Sequence, residues 1–330
     1  METVANALST LTLGAPVAFE ALTFFPLVSP HARQPDYLTL DEALGAGHAR
    51  ETEVSEGGSV PELRFVNGSD HRVLLLDGEE LVGAKQNRVL NVTILVAPKQ
   101  TVTIPVSCVE QGRWSYHSPE FRTAGRAQFA RGRAEKAAQV SSSLREHGVR
   151  RSDQGQVWEA IQAKADRLQA HSATGSMSDI FERYTADLGS YERALRPVEG
   201  QVGAVFAVAG EVSGLDLFDA GATLGKLWPK LVGSYALDAI EAGARRPGDP
   251  PVPAGAAAEG FLRAVASARA DRFPALGLGE DLRLEGPGLA GGALAVDGRV
   301  VHLGAFRLNG QPGARRPGLA RASTRRAQRL

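Results

Sequence analysis

The sequence predicts an α+β fold with an N-terminal antiparallel β-sandwich or jelly-roll-like sheet, then a helical section, then further β-hairpins packed with a long amphipathic helix. Three observations support this prediction. Short apolar runs separated by turn residues fill residues 13–114, helical periodicity dominates residues 119–196, and two similar hairpins flank one amphipathic segment within residues 197–306. We therefore predict a β-rich domain over residues 10–118, followed by these two sections and a basic disordered tail over residues 307–330.

The β-rich domain is predicted from closely spaced strands. Residues 73–82, 86–96 and 101–108 are largely apolar, and Asn, Gly or Pro lies between them. Such spacing is typical of antiparallel sandwiches, and we expect these three strands to be consecutive neighbours. A short helix is predicted after Thr39, an N-cap candidate followed by carboxylates in the first turn, and it should end at Gly45.

The helical section is predicted from Ala-, Arg- and Gln-rich segments at residues 119–146, 153–171 and 178–195, with Ser178 as an N-cap candidate. The longest helix follows later, where apolar residues recur at helical spacing between Leu224 and Ile240. Asp219 is its N-cap candidate. Pro229 should kink this helix or mark a junction of two shorter ones.

Two hairpins surround the long helix. Residues 202–218 turn at Ala209-Gly210, and residues 293–306 turn at Asp297-Gly298. An offset of 88 aligns the two segments, with Ala, Val, Gly, Val, Leu and Phe shared. They are therefore predicted to be equivalent elements of one sheet, and residues 245–257 are predicted to form a loop.

Charge balance offers no reason to expect nucleic acid or a membrane as partner. The chain carries 37 Lys and Arg against 37 Asp and Glu, and no apolar run is long enough to span a membrane. The charge is unevenly distributed, however. Residues 1–80 hold 13 acidic and 4 basic groups, residues 81–150 hold 11 basic and 4 acidic groups, and residues 307–330 hold seven Arg and no acid. The Arg-rich tail is thus the one nucleic-acid signal.

The cysteine and histidine content limits the possible sites. Cys108 is the single cysteine, which excludes an intrachain disulfide and a Cys-cluster metal site, and the seven His lack metal-type spacing. We predict no metal site, and the sequence assigns no cofactor. A buried structural thiol is favoured for Cys108, because a nucleophile would need a base such as His71 or His117. Glu2 and the lack of a basic segment argue against a signal peptide and predict a cytoplasmic protein.

The densest polar cluster lies in residues 77–88, between two apolar strands. With Gly83-Ala84 as a two-residue turn, Glu79 faces Arg88 across the hairpin, and the two are predicted to form an ion pair.

The same register places Glu80, Lys85 and Asn87 on the opposite face, with Gln86 beside them. An acceptor, a cation and an amide together suit a sugar or a phosphate-bearing ligand. The alternative is an ordinary solvent-exposed hairpin tip.

A second polar cluster leaves a strand at residues 107–114 and turns at Gly112. Arg113 and Trp114 can sandwich a planar group, with Glu110 beside them as a second carboxylate. The alternative places Trp114 in the core.

These stretches resemble the ARG and Rhodanese-Phosphatase-superfamily-associated protein domain family. The resemblance covers most of residues 10–243 and rests on residues 37–43 (YLTLDEA), 58–63 (GSVPEL), 78–88 (GEELVGAKQNR), 104–114 (IPVSCVEQGRW) and 227–231 (LWPKL). It implies a role near ADP-ribose, NAD-derived or nucleotide metabolism.

Three functional hypotheses follow. The first is a module that binds a small phosphorylated nucleotide-like ligand, with Arg88 or Lys85 on phosphate, amides on ribose hydroxyls, and Trp114 stacked on a base. The second is a hydrolase of a glycosidic or phosphoester bond, with Glu80 as general acid/base and Glu110 as second carboxylate. The third is a scaffold whose residues 119–196 contact a protein partner. The candidate ligand-binding residues are Glu79, Lys85, Gln86, Asn87, Arg88, Arg113 and Trp114.

Overall fold

The computed structural model describes residues 2–31, 33–55, 59–115, 118–243 and 255–308. The α+β class is confirmed for these residues. In chain order the elements are α1 (Glu2–Ser9), β1 (Thr12–Leu13), β2 (Val17–Phe19), β3 (Leu22–Val28), β4 (Tyr37–Thr39), α2 (Leu40–Gly45), β5 (Ala49–Glu53), β6 (Glu62–Asn67), β7 (Arg72–Leu75), β8 (Glu79–Gly83), β9 (Arg88–Leu90), β10 (Ile94–Val96), β11 (Thr101–Cys108), β12 (Phe121–Ala127), α3 (Ala130–His147), α4 (Gln154–Arg167), α5 (Met177–Arg183), α6 (Thr185–Ala194), β13 (Gln201–Val208), β14 (Glu211–Phe218), α7 (Gly221–Ala242), α8 (Gly255–Ala266), β15 (Arg269–Pro274), β16 (Glu280–Gly286), β17 (Leu289–Val296) and β18 (Arg299–Arg307).

Two sheets form the N-terminal β-rich part. A six-stranded sheet has the order β12-β8-β9-β11-β6-β5, and a three-stranded sheet has the order β10-β7-β4. All their pairs are antiparallel except β4 with β7. Their inner faces share one apolar core, which includes Phe65, Leu81 and Ile94. At one end of this core lies α2, whose Thr39 makes the predicted N-terminal cap by accepting from the Glu42 backbone amide.

Two of the three predicted long strands are wrong, because each of them is divided into two shorter strands. Residues 73–82 divide into β7 and β8, and residues 86–96 divide into β9 and β10. The first break contains Gly78, whose φ of +84° favours glycine. Each half then joins a different sheet, so that β8, β9 and β11 are neighbours while β7 and β10 pair elsewhere.

Three predicted helix boundaries are also wrong. Residues 121–127 are strand β12 instead of the start of a helix, since they pair with β8, and α3 begins only at Ala130. The N-cap of α5 is Ser176, whose hydroxyl accepts from the amide of Ser178. A break at Tyr184 then separates α5 from α6. Strand pairing and helix capping therefore determine where these helices begin, and the spacing of apolar residues in the sequence does not show either.

The C-terminal section forms a nine-stranded antiparallel sheet with the order β1-β3-β13-β14-β18-β17-β16-β15, in which β2 also pairs with β3. Residues 12–28 thus belong to this sheet, although they were predicted in the β-rich domain. The helix α7 packs against it, with Tyr235 stacked 4.0 Å from Phe206. It runs unbroken through Pro229, so the predicted junction of two shorter helices is wrong, and its N-cap is Ala220 instead of Asp219.

The two predicted hairpins lie in one sheet and match in detail. Both turns place two consecutive residues at positive φ, which is the type I′ geometry: Ala209-Gly210 at +50° and +88°, and Asp297-Gly298 at +52° and +77°. Both hairpins shift register at equivalent positions, after Phe206 in one and after Leu294 in the other. The turns and the register shifts of the two hairpins are therefore also separated by 88 residues.

The two hairpins meet at a local two-fold axis. In the pairing of β14 with β18, Gly214 faces Phe306 and Phe218 faces His302, and each of these pairs maps onto the other at an offset of 88. The central pair is Asp216 with Gly304, which maps onto itself. The axis thus passes between an aspartate and a glycine, two residues of very different size.

The axis carries a buried ion pair. Arg133 of α3 donates to both carboxylate oxygens of Asp216, at 3.1 and 2.6 Å. Tyr235 donates to the same carboxylate, and His302 Nε2 lies 3.3 Å from it. At Gly304 a Cβ would lie 3.6 Å from Arg133 Nη2 and from Asp216 Oδ1, so this glycine lies directly beside the ion pair. Through Arg133 and Tyr235, this network connects α3 and α7 to Asp216 at the centre of the sheet.

No helix among the described residues is long and apolar enough to cross a membrane. The predicted tail lies outside the described residues from position 309 onward, as does most of the predicted loop at 245–257. The end of that loop prediction is wrong, because α8 begins at Gly255.

Candidate functional site

The predicted site residues lie around one end of β8, β9 and β11. Three segments meet there: the loop of residues 84–87 between β8 and β9, the segment of residues 109–115 after β11, and residues 174–178 at the start of α5. The Gly112 amide donates to the Thr174 carbonyl at 2.7 Å, and the Met177 amide donates to the Val109 carbonyl at 2.9 Å. The third segment was not identified from the sequence.

The predicted two-residue turn is wrong. Glu80 pairs with Val89 and Leu81 pairs with Arg88, so six residues, 82–87, lie between the last paired residues, and four of them, 84–87, lie outside both strands. The φ values of +131° at Gly83 and +37° at Ala84 do redirect the chain there, and Ser118 Oγ accepts from the Ala84 amide at 3.1 Å. Leu81 takes the place of Glu79 opposite Arg88, so the predicted register is also wrong.

Arg113 holds this loop against the segment after β11. Its guanidinium donates to Glu110 Oε2 at 2.7 Å, to Asn87 Oδ1 at 3.0 Å and to the Ala84 carbonyl at 2.8 Å. It also donates to the Ser115 carbonyl at 3.1 Å. Because its nitrogens are engaged within the protein, Arg113 positions the loop more than it offers donors to a ligand.

The two predicted catalytic carboxylates are joined through two polar side chains. Asn87 donates from its backbone amide to Glu110 Oε2 at 3.1 Å and from its side chain to Ser178 Oγ at 3.2 Å. Ser178 in turn donates to Glu80 Oε1 at 2.8 Å. The sequence indicates Ser178 only as a helix cap, and nothing local in the sequence indicates this contact.

The environments of the two carboxylates separate their pKa values. Glu80 is fully buried, and burial raises its pKa to about 7 although Arg126 and Ser178 oppose the shift. Arg126 Nε lies 3.0 Å from Glu80 Oε2, without hydrogen-bond geometry. Burial also acts to raise the pKa of Glu110, but hydrogen bonds from Arg113 and Asn87 outweigh it and hold the pKa below its usual value.

This difference predicts a pH-dependent effect of the Glu80→Gln substitution. Folded Glu80 keeps its proton up to about pH 7, whereas its ordinary pKa is 4.5. The folded state therefore binds more protons than the unfolded state between these values, and its free energy of unfolding falls as pH rises. Urea titrations should show wild type losing about 3 kcal/mol relative to Glu80→Gln between pH 4.5 and 8. The exposed Glu120→Gln should show no such trend, and a flat difference for Glu80→Gln would contradict the assignment.

Trp114 forms the exposed surface of the site. Its side chain is 49 % exposed, so the alternative of a core tryptophan is wrong. Lys85 Nζ lies 5.4 Å and Arg88 Cζ lies 5.8 Å from the centre of its ring. The indole is thus a planar platform with two cations against it.

Arg88 lies beneath this platform and is fully buried. Nη1 donates to Gln86 Oε1 at 2.9 Å, while Nε and Nη2 have no hydrogen-bond partner among the described residues. The unpartnered nitrogens form the edge of the guanidinium that binds carboxylate or phosphate with two parallel hydrogen bonds.

Cys108 is buried beside this guanidinium. Its sulfur lies 3.2 Å from Gln86 Oε1 and 3.3 Å from the Glu110 carbonyl oxygen, either of which can accept its one proton. Burial raises the pKa of the thiol despite the nearby Arg88. A buried thiol with a raised pKa is a poor nucleophile, which agrees with the structural interpretation.

Glu79 lies outside this cluster. It accepts from Lys230 Nζ of α7 at 2.6 Å, and Asp41 Oδ2 lies 2.6 Å from the same ammonium group. The pKa of Lys230 is raised, because these carboxylates outweigh the effect of burial. The nearby Glu51 is fully buried, and burial raises its pKa well above the usual value. A lysine within the apolar stripe of α7 was the sequence signal that could have revealed this second cluster.

Within the described parts of the chain, no three His, Cys, Asp or Glu side chains are arranged to hold a metal ion. No curated protein and no solved structure matches the chain. The sequence model of the ARG and Rhodanese-Phosphatase-superfamily-associated Protein domain, ARPP-1, matches residues 10–306, which include the β-rich sheets, helices α2 to α8 and nearly all of the C-terminal sheet. The chain therefore belongs to this family.

Proposed function

We propose that the protein is a cytoplasmic module that binds a small phosphorylated, nucleotide-like ligand at the Trp114 end of β8, β9 and β11. The observation that carries the proposal is the unpartnered Nε and Nη2 edge of buried Arg88, which lies beneath a half-exposed tryptophan. The name of the family supports a connection with ADP-ribose or nucleotide metabolism.

Each contacting residue has a separate part in this proposal. The base stacks on Trp114, where ring stacking tolerates different bases. The phosphate meets the free edge of Arg88, and Lys85 adds positive charge near the same ring. Gln86 and Asn87 hold the loop in place through their contacts with Arg88 and Glu110. Because Arg88 is fully buried, neighbouring side chains must move before the phosphate reaches it.

The proposal predicts distinct effects of two substitutions on the binding of AMP and ADP-ribose. Arg88→Lys keeps the charge but loses the two-bond edge, so we expect about 10-fold weaker binding. Trp114→Ala loses the stacking platform and should also weaken binding about 10-fold. Isothermal titration calorimetry measures both changes.

The matched control is the exposed Arg122→Lys, which should bind like wild type. A thermal-shift screen with ADP-ribose, NAD and mononucleotides at millimolar concentration tests the proposal more broadly, because bound ligand raises the melting temperature. The absence of any shift would contradict it.

A second candidate function is a hydrolase of a glycosidic or phosphoester bond. The separated pKa values of Glu80 and Glu110 favour it, since hydrolases often pair a protonated acid with an ionised carboxylate. Glu80→Gln should then bind nucleotide-sugar substrate as wild type does and lose turnover. Undiminished turnover in this variant would eliminate the hydrolase.

A further inference from the structure

The strand β5 carries two glutamates on the inner face of its sheet. Its residues alternate in burial, and Glu51 and Glu53 lie on the same face as buried Ala49. In register, Glu51 pairs with Phe65 and Glu53 with Leu63, both members of the apolar core. Paired residues of neighbouring strands share a face, so both carboxylates lie at the core.

These carboxylates have unused hydrogen-bonding capacity. All four of their oxygens lack a partner in the described part of the chain. Glu51 is fully buried, and only 8 % of Glu53 is exposed. Burying a carboxylate without hydrogen-bond donors is costly, and folded proteins leave few such groups unsatisfied. Burial raises the pKa of Glu51 and favours its neutral form, so Glu53 is the side chain that indicates a place where a bound molecule supplies donors.

The unpartnered Nε and Nη2 atoms of Arg88 also lie inside this sheet. Arg88 pairs with Leu81, whose side chain belongs to the core that Phe65 and Leu63 share. Burial lowers the pKa of Arg88, and the charge of Glu53 counteracts this effect, so the two groups lie within electrostatic reach. Unpartnered donors on Arg88 and unpartnered acceptors on Glu53 thus lie on the same inner face of the six-stranded sheet, around one apolar core.

A ligand that satisfies both sets needs an anionic group and hydroxyl donors. A phosphate suits the guanidinium edge, and the vicinal hydroxyls of ribose each donate one hydrogen bond to a carboxylate oxygen. An anion without hydroxyls would meet the repulsion of Glu53 and leave its oxygens unsatisfied. The combination therefore favours a ribonucleotide over a simple phosphate ester.

We infer that Glu53 is the specificity-determining residue of the site and binds the ribose hydroxyls of the ligand. This inference rests on the proposed function and adds the sugar to it. The base lies on Trp114, the phosphate on Arg88 and the ribose at Glu53.

The test is a calorimetric comparison of AMP, 2′,3′-dideoxy-AMP and adenosine with the full chain. AMP should bind wild type at least 10-fold more tightly than the dideoxy analogue, because a site built to bind hydroxyls rejects a ligand that lacks them. The isosteric Glu53→Gln should reduce this preference to about 2-fold, whereas the exposed Glu62→Gln on the neighbouring strand should preserve it.

The outcomes separate the two proposals. Equal affinity of wild type for AMP and its dideoxy analogue overturns the role of Glu53, while nucleotide binding itself stands. Failure of all three compounds to bind at millimolar concentration overturns the ligand-binding function. The wild-type comparison needs no variant, so the test remains decisive if Glu53→Gln does not fold.

Discussion

Replacing Arg133 by methionine should lower the free energy of unfolding by about 3–5 kcal/mol. The guanidinium donates to both oxygens of Asp216, and both side chains are fully buried. Burial opposes the charge on Arg133, but Asp216 and Asp77 outweigh it and raise its pKa, so the pair is ionised at neutral pH. Methionine fills a similar volume and leaves the Asp216 carboxylate buried without its main partner.

Urea unfolding followed by circular dichroism measures this loss. Arg131→Met is the matched control on the same helix, because the Arg131 side chain is 55 % exposed and its pair with Glu135 lies at the surface. We expect a change below about 0.5 kcal/mol there. The double substitution Arg133→Met with Asp216→Asn should recover a large part of the loss, since it removes the uncompensated charge. A double variant no more stable than Arg133→Met would exclude this explanation.

Replacing Lys230 by methionine should be comparably destabilising, at about 3–5 kcal/mol near pH 8. The ammonium group lies 2.6 Å from carboxylate oxygens of Glu79 and of Asp41. Without it, buried Glu79, whose pKa burial raises, has no neutralising charge. Protonation removes this uncompensated charge, so the folded variant takes up a proton and its deficit should shrink as pH falls from 8 to 5.

The control for this substitution is Lys226→Met, one turn earlier on α7. The Lys226 side chain is 42 % exposed and pairs with Glu42, so its removal should cost less than about 1 kcal/mol. Denaturant titrations at pH 5 and pH 8 give both comparisons. A Lys230→Met deficit that is independent of pH would show that lost packing, and not unpaired carboxylates, causes the destabilisation.

The elements predicted correctly from the sequence have local signals. The cap at Thr39 requires only residues three positions apart, and the turns at Ala209-Gly210 and Asp297-Gly298 require only consecutive residues that adopt positive φ. The similarity of the two hairpins at an offset of 88 was enough to place them in one sheet.

The interior of the candidate site was not predictable in the same way, because its contacts join distant residues. Glu79 pairs with Lys230, 151 positions later, and Glu80 accepts a hydrogen bond from Ser178, 98 positions later. The predicted Glu79–Arg88 pair is absent because the register places Leu81 opposite Arg88. Glu53 was missed because an alternating strand gives no indication that its inner face carries charge.

The two-fold axis through Asp216 and Gly304 has a consequence for the ancestry of the sheet. If the two hairpins descend from one duplicated segment, a homodimer of that ancestor would have placed identical residues on the axis. Two aspartates there would repel each other, and two glycines would bind no guanidinium. In one polypeptide the two positions on the axis can differ, and here one is an aspartate and the other a glycine. This difference gives the sheet a single acid at its axis, so that Arg133 of one helix binds between the two hairpins.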